Sequence, residues 1–207
     1  MSDAGVMDDK PGADLDRRKF LTFAASATAA VGAVFTAVPF ASSWSLSERA
    51  RAAGEPVKFD LSKLQPGQMT QILWRKQPIY IVNRPREIAA KLAAHDAQLK
   101  DPKSTESDQP AYATNEMRSV RDDLLVLIGI CTHLGCLPKQ RFEPGDATLG
   151  ADWPGGFACP CHGSRFDLAG RVFAGSPASV NLRIPPYRVD GNILTVGEDG
   201  TAAAGVA

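Results

Sequence analysis

Apolar residues run without a single charge from Phe20 to Ser47, whereas beyond Val57 they come in short runs separated by proline and glycine. The first pattern predicts one long helix. Its most apolar part, FLTFAASATAAVGAVFTAVPF from Phe20 to Phe40, would rise about 31 Å at 1.5 Å per residue, matching a hydrocarbon core of about 30 Å. It carries no polar stripe, so it does not suit a helix on a domain surface, and it is longer than the apolar core of a removable signal peptide. Residues 20–41 are therefore expected to form a permanent transmembrane anchor.

The second pattern predicts a β-rich head. Pro66-Gly67, Pro144-Gly145, Pro154-Gly155-Gly156, Pro185-Pro186 and Gly191 punctuate it, with strands expected at Met69–Trp74, Ile79–Asn83, Leu124–Ile130, Gly156–Ala158, Arg165–Asp167, Tyr187–Asp190 and Asn192–Val196. Asp190-Gly191 between apolar runs predicts a hairpin turn. One helix is expected over Arg86–Leu99, where Ile88, Leu92 and Leu99 recur at helical spacing, followed by the polar loop DPKSTESDQP. His95 lies on that helix with no cysteine or second histidine nearby in sequence and reads as a solvated surface residue. The chain then divides into residues 1–19, the anchor at 20–41, a stalk or hinge at 42–56 that is either a short helix or a flexible linker, a head at 57–198, and a disordered tail at 199–207.

Charge changes the picture in two ways. The 207 residues include 23 basic and 23 acidic side chains, and a net charge of zero offers no cationic excess for nucleic acid, so no such partner is expected. A hydrophobic content of 44% excludes a mostly disordered chain. The distribution is uneven, and Arg17-Arg18-Lys19-Phe20-Leu21 before the apolar run looks like the twin-arginine export signal of bacteria. Arg49 and Arg51 on the other flank weaken an orientation drawn from charge counting alone. The export signal decides it: an inner-membrane protein with a single pass, its N-terminus cytoplasmic and its head in the periplasm. Trp44 falls where an interfacial aromatic residue belongs.

The chemistry lies in two boxes, Cys131-Thr132-His133-Leu134-Gly135-Cys136 and Cys159-Pro160-Cys161-His162-Gly163-Ser164. Such a cluster binds a metal, forms a disulfide, or does both. Each box offers one cysteine and one histidine close together, and the remaining two cysteines are free to pair. Two thiolates and two imidazoles can hold tetrahedral zinc, or a 2Fe-2S cluster with two cysteines on one iron and two histidines on the other.

With CTHLGC and CPCHGS both complete, and with the anchor and stalk before them, the chain from Arg17 to Val196 resembles the Rieske iron-sulfur proteins, in particular the Rieske subunits of cytochrome bc complexes. The resemblance implies a mainly β fold: a transmembrane helix and an extrinsic antiparallel β-sandwich head, with a small cluster-binding subdomain at about 131–178 and one helix-loop insertion. It implies that Cys131 and Cys159 ligate one iron, that His133 and His162 ligate the other, and that Cys136 and Cys161 form a disulfide. Around the cluster it implies a loop over the site at Gly175-Ser176-Pro177-Ala178, a sulfide hydrogen bond from Ser164, and docking of Leu134 on the quinol site. Some relatives carry a tyrosine where this chain has Phe166, so one hydrogen bond fewer and a lower potential than in those relatives are expected.

The same resemblance implies that His162 takes the hydrogen bond and proton of ubiquinol, while electrons pass to a c-type cytochrome and to a b-type haem in a cytochrome b subunit, all beside membrane lipid. Charge counting supports the ligand set. Two ferric ions, two sulfides and two thiolates sum to zero, so an electron enters more easily than at an all-cysteine site; potentials run from roughly −150 to +300 mV against about −400 mV. The added electron favours protonated imidazoles, which suits a substrate that loses protons with its electrons. A zinc module has no need of the second cysteine pair, soluble Rieske ferredoxins normally lack that pair and the anchor, and the LGC loop with its disulfide partner argues against the exported small subunit of an arsenite oxidase.

Overall fold

The computed structural model describes residues 11–45, 54–89 and 91–198, with the side chains of residues 11–13 and 88–89 outside that description. Most of the expected stalk, the first ten residues and the tail from 199 lie outside the described residues. The chain forms two compact units that divide at Ala50 and Arg51.

Among its described residues, the first unit is a single helix, α1, from Pro11 to Ser43. Proline suits its start, because the missing N–H would have had no helical partner there. The helix runs past both ends of the expected anchor and takes in Arg17, Arg18 and Lys19, since nothing in DLDRRK breaks a helix. Phe20, Phe23, Val34, Phe35, Val38 and Phe40 are all exposed, and residues 14–43 make a helix long and apolar enough to cross a membrane. Its hydroxyls turn inward: Thr22, Thr28 and Thr36 each donate to the carbonyl four residues back, and Ser42 donates to Pro39 O. Those bonds satisfy these hydroxyls within the helix, as a lipid-facing segment requires.

The second unit is the head. Its strands are β1 (Val57–Asp60), β2 (Met69–Trp74), β3 (Gln77–Asn83), β4 (Leu124–Ile128), β5 (Lys139–Arg141), β6 (Gly156–Ala158), β7 (Arg165–Asp167), β8 (Tyr187–Asp190) and β9 (Ile193–Val196). They form three antiparallel three-stranded sheets, ordered β1-β9-β8, β2-β3-β4 and β5-β6-β7. The first strand therefore pairs with the last, Val57 opposite Val196. The central β3 is buried from Pro78 to Val82 and β4 from Leu124 to Leu127, which explains why both read as continuous apolar runs rather than alternating ones. Cys131 and Cys159 belong to the same buried core as these strands.

Several expectations are corrected. The helix expected over Arg86–Leu99 is a single turn, α2 (Arg86–Ala89), then a 3-10 helix at Leu92–Gln98. Tertiary bonds compete for its backbone: Arg171 takes Leu92 O, Ala174 N–H takes Gln98 O, and Leu99 leaves to bridge Phe173. His95 is half-buried rather than solvated, and lines a cavity of about 310 Å³ with Glu87, Lys91, Leu92 and Pro144. Strand β4 ends at Ile128 rather than Ile130, and Gly129 after it packs against the Tyr80 ring, where a Cβ would overlap it. The last hairpin turns on Gly191-Asn192 rather than Asp190-Gly191, since Asp190 already pairs with Ile193. Strands β1 and β5 were not predicted. All three β5 side chains are exposed, so only its backbone pairing with β6 defines it. Between the two boxes, Trp153 is buried against Phe173 and donates to Arg141 O at 2.8 Å.

The insertion between β3 and β4 is held by buried arginines. Arg84 donates to five carbonyls, those of Met117, Arg121, Asp122, Leu124 and Leu168. Arg118 donates to Gln109 Oε1 and to the carbonyls of Ala169 and Gly170. Burial pushes both guanidinium groups down to about 10. Beside them Asp101 organises the polar loop, accepting from the N–H groups of Thr105 and Glu106 and from the Ser107 hydroxyl. Burial opposes its ionisation, but these bonds outweigh it and hold the carboxyl below its ordinary 3.8. A depressed carboxyl contributes stability that is complete above its unfolded pKa and is lost as pH falls through the folded one. Asp101→Asn is therefore expected to cost about 2 kcal/mol near neutral pH, a deficit that narrows below about pH 4. Urea unfolding followed by tryptophan fluorescence checks this, and a deficit independent of pH would contradict it.

Candidate metal centre

Both boxes fold into the same backbone shape. The first follows β4; the second joins β6 to β7. In the first, Cys131 N–H donates to Cys136 O at 2.7 Å and Gly135 N–H to Cys131 O at 3.0 Å; in the second, Cys159 N–H donates to Ser164 O at 2.8 Å and Gly163 N–H to Cys159 O at 3.0 Å. Each loop closes through a glycine in its fifth position, with φ +83° at Gly135 and +77° at Gly163, a conformation that side chains rarely adopt.

These loops bring together every residue expected to bind metal. Cys131 and Cys159 are free thiols and buried. The His133 and His162 rings lie perpendicular with centroids 4.9 Å apart. His162 is exposed, whereas His133 is half-buried and its Nδ1 is enclosed without a hydrogen-bond partner. Such an atom costs about 1–3 kcal/mol unless something bonds it, and a metal ion would do so. Burial pushes the Cys131 thiol up, opposed by a hydrogen bond from the His133 backbone and raised further by the neighbouring Cys159. Two thiols so placed need a cation before they can ionise together. The donor set thus fits a 2Fe-2S cluster with mixed ligands. Cys136, Cys159 and Cys161 also approach within 4.8 Å of one another, but Cys136 and Cys161 are joined as a disulfide that ties one loop to the other, so this trio is not itself a metal site.

The surroundings fix the loops. Ser164 is fully buried, and its Oγ accepts the Ala178 N–H at 3.1 Å, beside the exposed Pro177. Ser176 Oγ accepts the Arg165 N–H at 3.0 Å. Phe166 is fully buried opposite Phe157 in the β6–β7 pair. Leu134 stands 70% exposed at the loop tip, a large apolar side chain in water. Sequence reasoning missed Thr132, whose hydroxyl donates to Val180 O at 2.7 Å, and Leu137, a second exposed apolar residue beside the first loop. It also missed Tyr80, which stacks on Phe157 and donates to Pro138 O. Thr132 lies inside the first box, so its position was a signal; Tyr80 gave none, being 58 residues from Pro138.

Residues 57–187 match the Rieske [2Fe-2S] domain, and residues 7–46 match the family described as the ubiquitinol-cytochrome C reductase Fe-S subunit TAT signal. A ubiquinol-cytochrome c reductase iron-sulfur subunit of Allochromatium vinosum is 50% identical over 194 residues, 93% of either chain. The subunit of the same description from Bradyrhizobium diazoefficiens is 40% identical over 173 residues, covering 83% of this chain and 88% of that one. Among solved structures, a chain of a hyperthermophilic respiratory Complex III is 25% identical with a TM-score of 0.45, covering 84% of this chain and 98% of that one.

Proposed function

Because the chain belongs to the iron-sulfur subunits of ubiquinol-cytochrome c reductase and carries a Rieske [2Fe-2S] domain, we propose that Cys131 and Cys159 hold one iron of its cluster and His133 and His162 the other. Its activity is that of the family: ubiquinol is oxidised and an electron is delivered to cytochrome c. When bound, the cluster supplies one-electron transfer at a potential that its two histidine ligands raise above that of an all-cysteine cluster.

The chain's own side chains do the rest. His133 binds through Nδ1, the enclosed nitrogen that has no other partner. Binding in the same mode leaves Nε2 as the outer atom of the exposed His162 ring, where it accepts a hydrogen bond from the quinol hydroxyl and then its proton. Leu134 and Leu137 present apolar surface to the quinol pocket and exclude water from that transfer. The disulfide and the Ser164 and Thr132 bonds hold both loops in place, so the ligands need not rearrange as the charge changes.

The partners proposed are a cytochrome b subunit, whose b-type haem takes the second electron, and a c-type cytochrome. Helix α1 anchors the chain with its N-terminus cytoplasmic and its head in the periplasm. The twin-arginine match of residues 7–46 and a disulfide that persists only in oxidising surroundings support that orientation.

What carries this reading is the convergence of two buried free thiols and two crossed imidazoles in loops of identical closure. Protein purified from membranes is expected to show the visible absorption and EPR signal of a histidine-ligated 2Fe-2S cluster, and to co-purify with b- and c-type haems. Zinc in place of iron, or a chain free of haem proteins, would sink the proposal.

A further inference from the structure

The segment after the broken helix runs beside the loop that carries Pro177. Leu99 bridges Phe173, the Lys100 N–H donates to Val172 O at 3.0 Å, and the Ala174 N–H donates to Gln98 O at 2.7 Å. This pairing delivers the Lys100 side chain to the loop, where Nζ donates to Ser176 O at 2.6 Å and to Ala178 O at 2.7 Å, one carbonyl on each side of Pro177. We propose that Lys100 is a positioning residue for the cluster: its ammonium clamps the carbonyls flanking Pro177, holds the Ala178 N–H on Ser164, and adds a positive charge that favours the reduced form. The inference rests on the ligand assignment above.

Three features carry it. Proline offers no N–H, so the turn through Gly175 (φ +79°) to Ala178 cannot be secured by a full backbone ladder and depends on side chains. Lysine suits that task, since its compact ammonium has three donors and two of them meet the flanking carbonyls here in charge-assisted bonds, roughly twice as strong as neutral ones. The clamped segment is also where both boxes attach: Thr132 donates to Val180 O, Ser176 Oγ takes the Arg165 N–H, and Ser164 Oγ takes the Ala178 N–H. The Ser164 carbonyl in turn accepts the Cys159 N–H at 2.8 Å. A chain of direct contacts thus runs from the insertion to a proposed ligand. Adding an electron makes the site more negative, so a fixed cation in that chain stabilises the reduced state, while its partial exposure to solvent screens the effect.

The test compares Lys100→Met, Lys100→Gln and Lys100→Arg in the full-length chain purified within its complex. The EPR signal, the midpoint potential and the hydrogen exchange of the 176–180 backbone are measured. All variants are expected to carry the cluster. Lys100→Met should show a lower potential and about tenfold faster exchange in that segment, Lys100→Gln the same fall in potential with smaller exchange, and Lys100→Arg neither. An unchanged potential in Lys100→Met and Lys100→Gln with full cluster content would overturn the inference. An equal fall in Lys100→Arg would overturn it too, since packing rather than charge would then be responsible. Absence of the signal from the unaltered protein would overturn the ligand assignment as well, which separates the two failures.

Discussion

A chain with His162→Ala is expected to keep its head folded and its Cys136–Cys161 disulfide formed, yet to contain no iron-sulfur cluster and to oxidise no ubiquinol above background. The effect is large on chemistry and small on folding because the ring is exposed. An exposed side chain away from caps and buried networks alters stability by no more than about 0.5 kcal/mol. Its loss as a ligand is different in kind. With one of its four proposed protein ligands gone the cluster would not be held, and Cys131 and Cys159 would remain as buried thiols with no cation to ionise them. Iron content, the EPR spectrum and circular dichroism of the purified variant separate the two effects. Normal quinol oxidation by this variant would remove His162 from the site, and a lost circular dichroism signal would show that the ring supports the fold instead.

Arg171→Leu should produce the largest loss of stability, about 3–5 kcal/mol, because it breaks a buried ion pair from one side. Arg171 and Asp167 are both fully enclosed and meet at 2.8 Å. The guanidinium also reaches Asp96 at 2.7 Å, Leu92 O and Pro102 O. Without it the Asp167 carboxylate is stranded in the core. That carboxylate still caps the N–H groups of Ala169 and of residue 171, so it cannot simply move out to water. The double variant Arg171→Leu with Asp167→Asn is expected to be less destabilised than the sum of the single changes, since neither half of this ion pair is left buried without the other. Urea unfolding of all three variants checks both points. A single-variant loss below about 1 kcal/mol would mean that the network is not closed as described.

Arg171 also shows where reading the sequence succeeds and fails. Its partners Leu92, Asp96 and Pro102 lie 69 to 79 residues away, and two of its bonds end on carbonyls. A carbonyl is the same on every residue, so no pattern of side chains announces it. The same blindness hid Arg84 and the clamp by Lys100, which satisfy themselves on backbone oxygen, and Arg118, which does so in part. It also explains the broken helix, because Ile88, Leu92 and Leu99 keep helical spacing while carbonyls of that segment are claimed from elsewhere. Strand β5 was invisible for a related reason, since its three exposed side chains carry no period.

What the sequence determined by itself is whatever depends on neighbours a few residues apart. The uncharged run that becomes α1, the apolar strands β3 and β4, and the two boxes are of this kind, because each ligand loop closes on itself within six residues through Gly135 or Gly163. Only the tertiary structure decided how those loops face one another: the crossing of His133 and His162, the enclosure of the thiols, and the insertion that braces the loop at Pro177. Local chain geometry sets the first group, since its bonds span short loops. The second depends on contacts between distant segments, and their free energy is realised only once the whole head has packed.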